Sequence, residues 1–132
     1  MIITINGLIS TLFIGYIYGK YVTMNKQTIH AEISVIPIGT TIGTISGTSM
    51  SKEIAGASDA IRRVKDLKAM LIPMGTQIET NNFANILTAI EAAHLAVRSV
   101  GTKRIITTIR IDQRLDRSIS LQKKIDSVME KL

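Results

Sequence analysis

The run Arg104-Ile105-Ile106-Thr107-Thr108-Ile109-Arg110-Ile111-Asp112 constrains the fold more than any other stretch of the chain. Its odd members, Ile105, Thr107, Ile109 and Ile111, are apolar or β-branched, whereas the even set passes from Ile106 and Thr108 to Arg110 and Asp112. Side chains alternate across a strand with period two, so this pattern gives one face to a core and the other to a partner. Arg114 and Asp116 continue the charged alternation. Two readings stand side by side: a surface that holds a polar ligand, and a solvated ion-pair ladder at a strand end.

The other elements are read in the same way. Ala31 to Ile38 alternates and ends its regular pairing at Pro37. A glycine- and threonine-rich loop follows from Gly39 to Ser49, with Gly-Thr recurring every four residues. Ile54, Ala57, Ile61 and Val64 recur at helical spacing, which predicts a helix to about Leu67 with Ser49 or Ser51 as its N-cap. Ala69 to Pro73 and Thr76 to Thr80 read as two short strands joined at Met74-Gly75, a place for a glycine with positive φ. Asn81 or Asn82 caps a second helix with Phe83, Ile86, Leu87, Ile90, His94 and Val97 as its inward stripe and Gly101 as its end. After Asp116, Leu121, Ile125, Val128 and Leu132 mark a last amphipathic helix.

The order β-α-β-β-α-β-α predicts an α+β ferredoxin-like sandwich, βαββαβ plus a C-terminal helix. Helices would cover one sheet face and leave the other open. On the open face the alternation places Glu32, Ser34, Ile36, Ile106, Thr108 and Arg110, and its apolar share points to an association surface and an oligomer.

At 132 residues the chain has room for one core. No cysteine is present, so disulfides, thiolate metal sites and cysteine nucleophiles are excluded, and a cytoplasmic location is expected. With only His30 and His94 as imidazoles, a multi-histidine metal centre is not expected, and no cofactor is. Sixteen Lys and Arg against ten Asp and Glu leave a net charge of +6. The basic residues are scattered among acids and are not interleaved with aromatics, which argues against nucleic acid as a partner.

Residues 1–23 stand apart from the domain at 24–132. The stretch from Ile2 to Gly19 carries no charge, and all three tyrosines, Tyr16, Tyr18 and Tyr21, lie in the first 23 residues. A membrane anchor, an extra packed element, and an upstream stretch added by a start codon misplaced ahead of Met24 are the three readings of this segment. If it spans a membrane, Lys20 and Lys26 keep the domain on the cytoplasmic side.

Five strings, Val35-Ile36-Pro37-Ile38-Gly39-Thr40, Gly47-Thr48-Ser49-Met50-Ser51-Lys52, Leu71 to Glu79, Ala92 to Val97 and Arg104 to Asp112, occur in register. Together they resemble the small thiamine-binding protein family, over roughly residues 29 to 131. The resemblance implies a ferredoxin-like subunit assembled into a homodimer or homotetramer. It also implies binding of thiamine or its hydroxymethylpyrimidine half, without catalysis. It favours the misplaced start, because the segment before Met24 lies outside it. The chain departs from the family pattern at Leu95, Gln113 and Leu115, where members more often carry charged residues.

Thiamine joins a cationic thiazolium to an aminopyrimidine that both donates and accepts, so a site needs a carboxylate or amide, hydroxyls and an apolar wall. Glu32, Ser34, Thr108 and Arg110 supply the polar groups on the sheet face, with Thr48, Ser49 and Ser51 at its edge. Structural roles compete: a Glu32–Arg110 ion pair across neighbouring strands, and helix capping by Ser49 or Ser51. The Gly39–Ser49 loop lacks the Gly-Lys-Ser/Thr ending of a phosphate loop. His94, on an apolar stripe, reads as a packed histidine, and Met70 and Met74 as core or interface residues. An acylphosphatase-like hydrolase would need an arginine in the loop after the first strand, and an RNA-recognition domain would need aromatics on Arg104–Asp112; neither is present. The alternative that stays open is a structural or regulatory oligomer with no physiological small ligand.

Overall fold

The computed structural model describes residues 27–39 and 48–132. Residues 1–23, whose separate status the sequence suggests, and most of the Gly39–Ser49 loop lie outside the described residues. The elements are β1 (Ile29–Ile38), α1 (Ser51–Arg62), β2 (Leu67–Ile72), β3 (Gly75–Thr80), α2 (Phe83–Ser99), β4 (Arg104–Gln113) and α3 (Leu121–Met129). The four strands form one antiparallel sheet in the order β2-β3-β1-β4. This is the ferredoxin-like α+β sandwich that the alternating patterns predict.

The core lies between the sheet and the two long helices. Ile29, Ala31, Ile33 and Val35 of β1 meet Ile78 of β3, Ala57 and Ile61 of α1, and Ile86, Ala89, Ala93 and Val97 of α2. Those β1 residues are alternate members of one strand, and the α2 residues follow a three-to-four spacing, so each element turns its one apolar face inward. His94 sits at the margin of this layer, its Nε2 2.7 Å from Thr107 Oγ1, a packed histidine with a satisfied nitrogen.

Several local expectations are corrected. Asn82 caps α2 as expected, its side chain accepting from the Ala84 N–H at 2.9 Å. Leu87 and Phe83 nevertheless face solvent, because the small residues Ala89 and Ala93 let the helix approach the sheet along a stripe rotated away from them. Helix α1 stops at Arg62, well before Leu67, and Asp66 takes a left-handed conformation (φ 56°) that turns the chain into β2. Its N-cap position is Met50, with no side-chain cap; Ser49 Oγ instead lies 3.1 Å from Ser51 Oγ. The β2–β3 turn is Pro73-Met74, and Gly75 already belongs to β3. Gly75 does not have a positive φ. It is needed for space, since a Cβ there would sit 2.5 Å from the Ile33 carbonyl oxygen.

Helix α3 is the largest departure. No residue in it is buried, and Ile125, Val128 and Leu132 of its apolar stripe are exposed. Its first turn is tied to the sheet face away from the core: the Leu121 N–H donates to Glu79 at 2.8 Å, and Lys124 pairs with Asp112. The face expected to be open is therefore closed at one end.

Candidate functional site

β1 is the strand on which the site is built. It pairs with β4 along its whole length, but with β3 only from Ile29 to Ile33. The alternation sends Glu32, Ser34 and Ile36 to the face away from the core, where their cross-strand partners are Arg110, Thr108 and Ile106. Four of the sequence candidates, Glu32, Ser34, Thr108 and Arg110, are thus brought together in two adjacent rungs of one ladder.

Arg110 Nη2 donates to Glu32 Oε2 at 2.8 Å, and Gln77 flanks Glu32 on the β3 side. The Arg110 side chain is 79% exposed. A pair so open to water contributes about 0–1 kcal/mol, so little opposes a competing cation at the carboxylate. The longer charged alternation does not act as one unit, because β4 ends at Gln113. Asp112 pairs with Lys124, and Arg114 donates from Nε and Nη2 to Asp116 at 2.6 and 2.9 Å. The guanidinium hydrogen bonds hold the Asp116 carboxyl below its ordinary value, and the Lys124 hydrogen bond does the same to Asp112.

Where β1 runs past the start of β3, a cavity of about 600 Å³ opens between Ile33–Ile36, helix α1 and the β2–β3 turn. Ile33, Val35, Ile54, Ile61, Leu71, Pro73 and Met74 form apolar wall, and Ser34, Ser51, Ser58 and Thr76 contribute polar lining. Among the described residues, no charged or aromatic side chain lines it. Ser58 and Thr76 are buried, and Thr76 Oγ1 donates to Ser58 Oγ at a long 3.4 Å. Each hydroxyl has hydrogen-bonding capacity left over from so weak a bond.

Ser34 joins the two regions, as a cavity-lining residue and a rung of the exposed ladder. Ser51 belongs to the cavity, whereas Glu32, Thr108 and Arg110 do not line it. Thr48 and Ser49 are exposed and outside the lining. Ser58 and Thr76 were not singled out from the sequence. Ser58 carries a legible signal, lying four residues after Ile54 and three before Ile61 on the inward stripe of α1. Thr76 shares a face with Ile78, two residues on, but its place beside α1 depends on where β3 begins against β1.

Among the described residues no cluster of three or more His, Cys, Asp or Glu could hold a metal ion. No helix among them is long and apolar enough to cross a membrane.

Comparisons with known proteins agree with this architecture. A family model described as "Thiamine-binding protein" matches residues 31–129. A UPF0045 protein of Methanothermobacter thermautotrophicus is 36% identical over 104 residues, 79% of this chain and 99% of that protein. The UPF0045 protein YqgV of Bacillus subtilis is 32% identical over 102 residues, 77% of this chain and 95% of that protein. Among solved structures, a hypothetical protein of Methanocaldococcus jannascii has a TM-score of 0.66 at 30% identity, covering 79% of this chain and 98% of that one. A Thermotoga maritima protein described as a candidate thiamine biosynthesis/salvage protein has a TM-score of 0.58 at 20% identity, covering 76% and 98%.

Proposed function

Because the chain belongs to the thiamine-binding protein family, we propose that it is a non-enzymatic binder of thiamine or its hydroxymethylpyrimidine moiety. The observation that carries this reading is the cavity beside Ser34: an apolar chamber with buried hydroxyls at Ser58 and Thr76 and a half-buried carboxylate, Glu32, nearby on the same strand. Such a chamber, mostly apolar with a few convergent polar groups, is what an uncharged heteroaromatic ring requires. In this reading the aminopyrimidine enters the cavity and exchanges hydrogen bonds with Ser51, Ser58 and Thr76. Glu32 lies two residues from Ser34, about 7 Å along a strand, and meets the thiazolium cation at the mouth. Ser34 and Thr108 supply hydroxyls between the two ends, and Arg110 releases Glu32 when the cation arrives. Thr48 and Ser49 lead into α1 at the edge of the same region. Every residue in this arrangement is given a binding role.

We place the binding domain at residues 24–132, in the cytoplasm, and treat residues 1–23 as dispensable for it. Exposed Ile36 and Ile106, neighbours on the face away from the core, support assembly into a homodimer or homotetramer through that face. They equally favour the second reading, an oligomer without a small ligand.

Calorimetric titration of the full chain with thiamine, its phosphate esters and hydroxymethylpyrimidine tests the assignment. Saturable binding that weakens by about 1–3 kcal/mol in Thr76→Val is expected, the cost of an unmet polar group. No heat with any of these compounds would leave the oligomer as the reading. Glu32→Gln should weaken thiamine and spare hydroxymethylpyrimidine, which has no thiazolium. Sedimentation of a single-chain species at micromolar concentration would overturn the assembly.

A further inference from the structure

His30 is buried on the face of the sheet that carries no helix layer, and the cause is the chain leading into α3. Its neighbours across the ladders are Glu79 on β3 and Asp112 on β4. The imidazole hydrogen-bonds to the backbone of Ile119, while Nε2 has no hydrogen-bond partner among the described residues and lies 3.7 Å from Glu79 Oε2. That same Glu79 oxygen accepts the Leu121 N–H at the start of α3, and Oε1 accepts Lys68 Nζ from β2 at 3.3 Å. Lys124, one turn into the helix, pairs with Asp112. On β1 itself the next residue of the face is Glu32, engaged with Arg110.

We propose that α3 is an acid-released arm, held against the sheet by Glu79 and Asp112 and detached when His30 takes a proton beneath it. Protonation puts a charge on a ring that the docked arm holds out of water; Glu79 Oε2 lies near enough to offset part of that cost, but the charge is better solvated once the arm has left. The new positive charge also faces the Lys124 ammonium. The helix has little to resist this, since none of its residues is buried. The preceding chain stays tethered, because the Thr28 N–H donates to Ser118 Oγ and Gln27 Nε2 donates to the Leu115 carbonyl. Release therefore frees the segment from Ile119 onward and uncovers His30, Glu79 and Asp112.

The charge balance at the imidazole favours the neutral ring in the docked arm. Burial holds the His30 pKa below its ordinary value and Lys124 pushes the same way, against Glu79, Asp112 and the Ile119 backbone. Docking is thus at full strength above the ordinary imidazole value and weakens as pH falls through the lowered one.

Hydrogen exchange and histidine ring NMR on the full chain, between about pH 7.5 and about pH 5, read the device directly. Exchange in Leu121–Met129, corrected for intrinsic rates, should rise by about tenfold for each unit by which the His30 titration lies below its ordinary value. Protection in α2 should not change. In His30→Gln the pH dependence should vanish. Should that variant fail to fold, Lys124→Met gives a second readout, an upward move of the His30 titration. An arm equally protected at both ends of the range would overturn the proposal. So would pH dependence that survives His30→Gln, or a His30 titration unmoved by Lys124→Met.

Discussion

Helices α2 and α3 are both amphipathic in sequence, yet one is welded to the domain and the other is fastened at a corner. α2 buries Ile86, Ala89, Ala93 and Val97, while α3 buries nothing and hangs from Leu121 and Lys124. A hydrophobic stripe shows that a helix has a face to cover. Whether it is covered within the chain depends on the partner surface. The sheet offers α2 the apolar side of β1 and offers α3 the side that carries His30, Glu79 and Asp112. The first contact is non-directional and large in area, and the second consists of a few polar contacts that water and protons can contest.

The same chemical change should therefore have unequal effects. Ile86→Ala is expected to destabilise the domain by about 2–5 kcal/mol, and Ile125→Ala by less than about 0.5 kcal/mol, measured by denaturant unfolding. Equal losses would show that α3 is packed as firmly as α2. Gly75→Ala comes next, at about 1–3 kcal/mol, because its methyl group meets the Ile33 carbonyl and must displace backbone. The two caps divide the helices again. Asn82→Ala should lower global stability by about 1 kcal/mol, whereas Ser120→Ala should leave the melt in place and raise exchange in Leu121–Met129.

An acid titration separates the regions more gently. Partial burial raises the Glu79 carboxyl, but the Leu121 N–H and Lys68 outweigh it and hold the group below its ordinary value. Its contribution is present above the ordinary carboxylate value and lost as pH falls through the lowered one. Glu79→Gln should flatten that acid limb of the stability curve, and an unchanged limb would remove Glu79 from the arm's anchorage. Arg110→Gln should likewise change stability by only about 0–1 kcal/mol, because the Arg110 end of the Glu32 pair it breaks lies in water.

What was legible in the sequence follows the same division. The alternation of Arg104–Asp112, the cap at Asn82 and the βαββαβ order rest on local periodicity and chemistry, and each appears in the structure. So does the Glu32–Arg110 pair, which needed the strands to be neighbours in the right register. Leu87 was misplaced because the two alanines that draw α2 inward weigh little in a hydrophobic count. The cap of α1 was misplaced because Ser49 and Ser51 bond to each other. The cavity was out of reach for a different reason. It exists only where β1 overshoots β3, and the offset between two strands distant in sequence is written in neither of them.

β1 also works as a two-sided tape. Its odd residues belong to the core and its even residues to the ladder of His30, Glu32 and Ser34, so substitutions at even positions can retune what the surface recognises while the interior keeps its packing. Length is another matter. A single inserted or deleted residue in this strand would exchange the two inventories, turning carboxylate inward and isoleucine outward along everything beyond it. Relatives that have drifted in ligand preference should therefore differ by point changes on one side of this strand, and length variation should collect in the connections between elements.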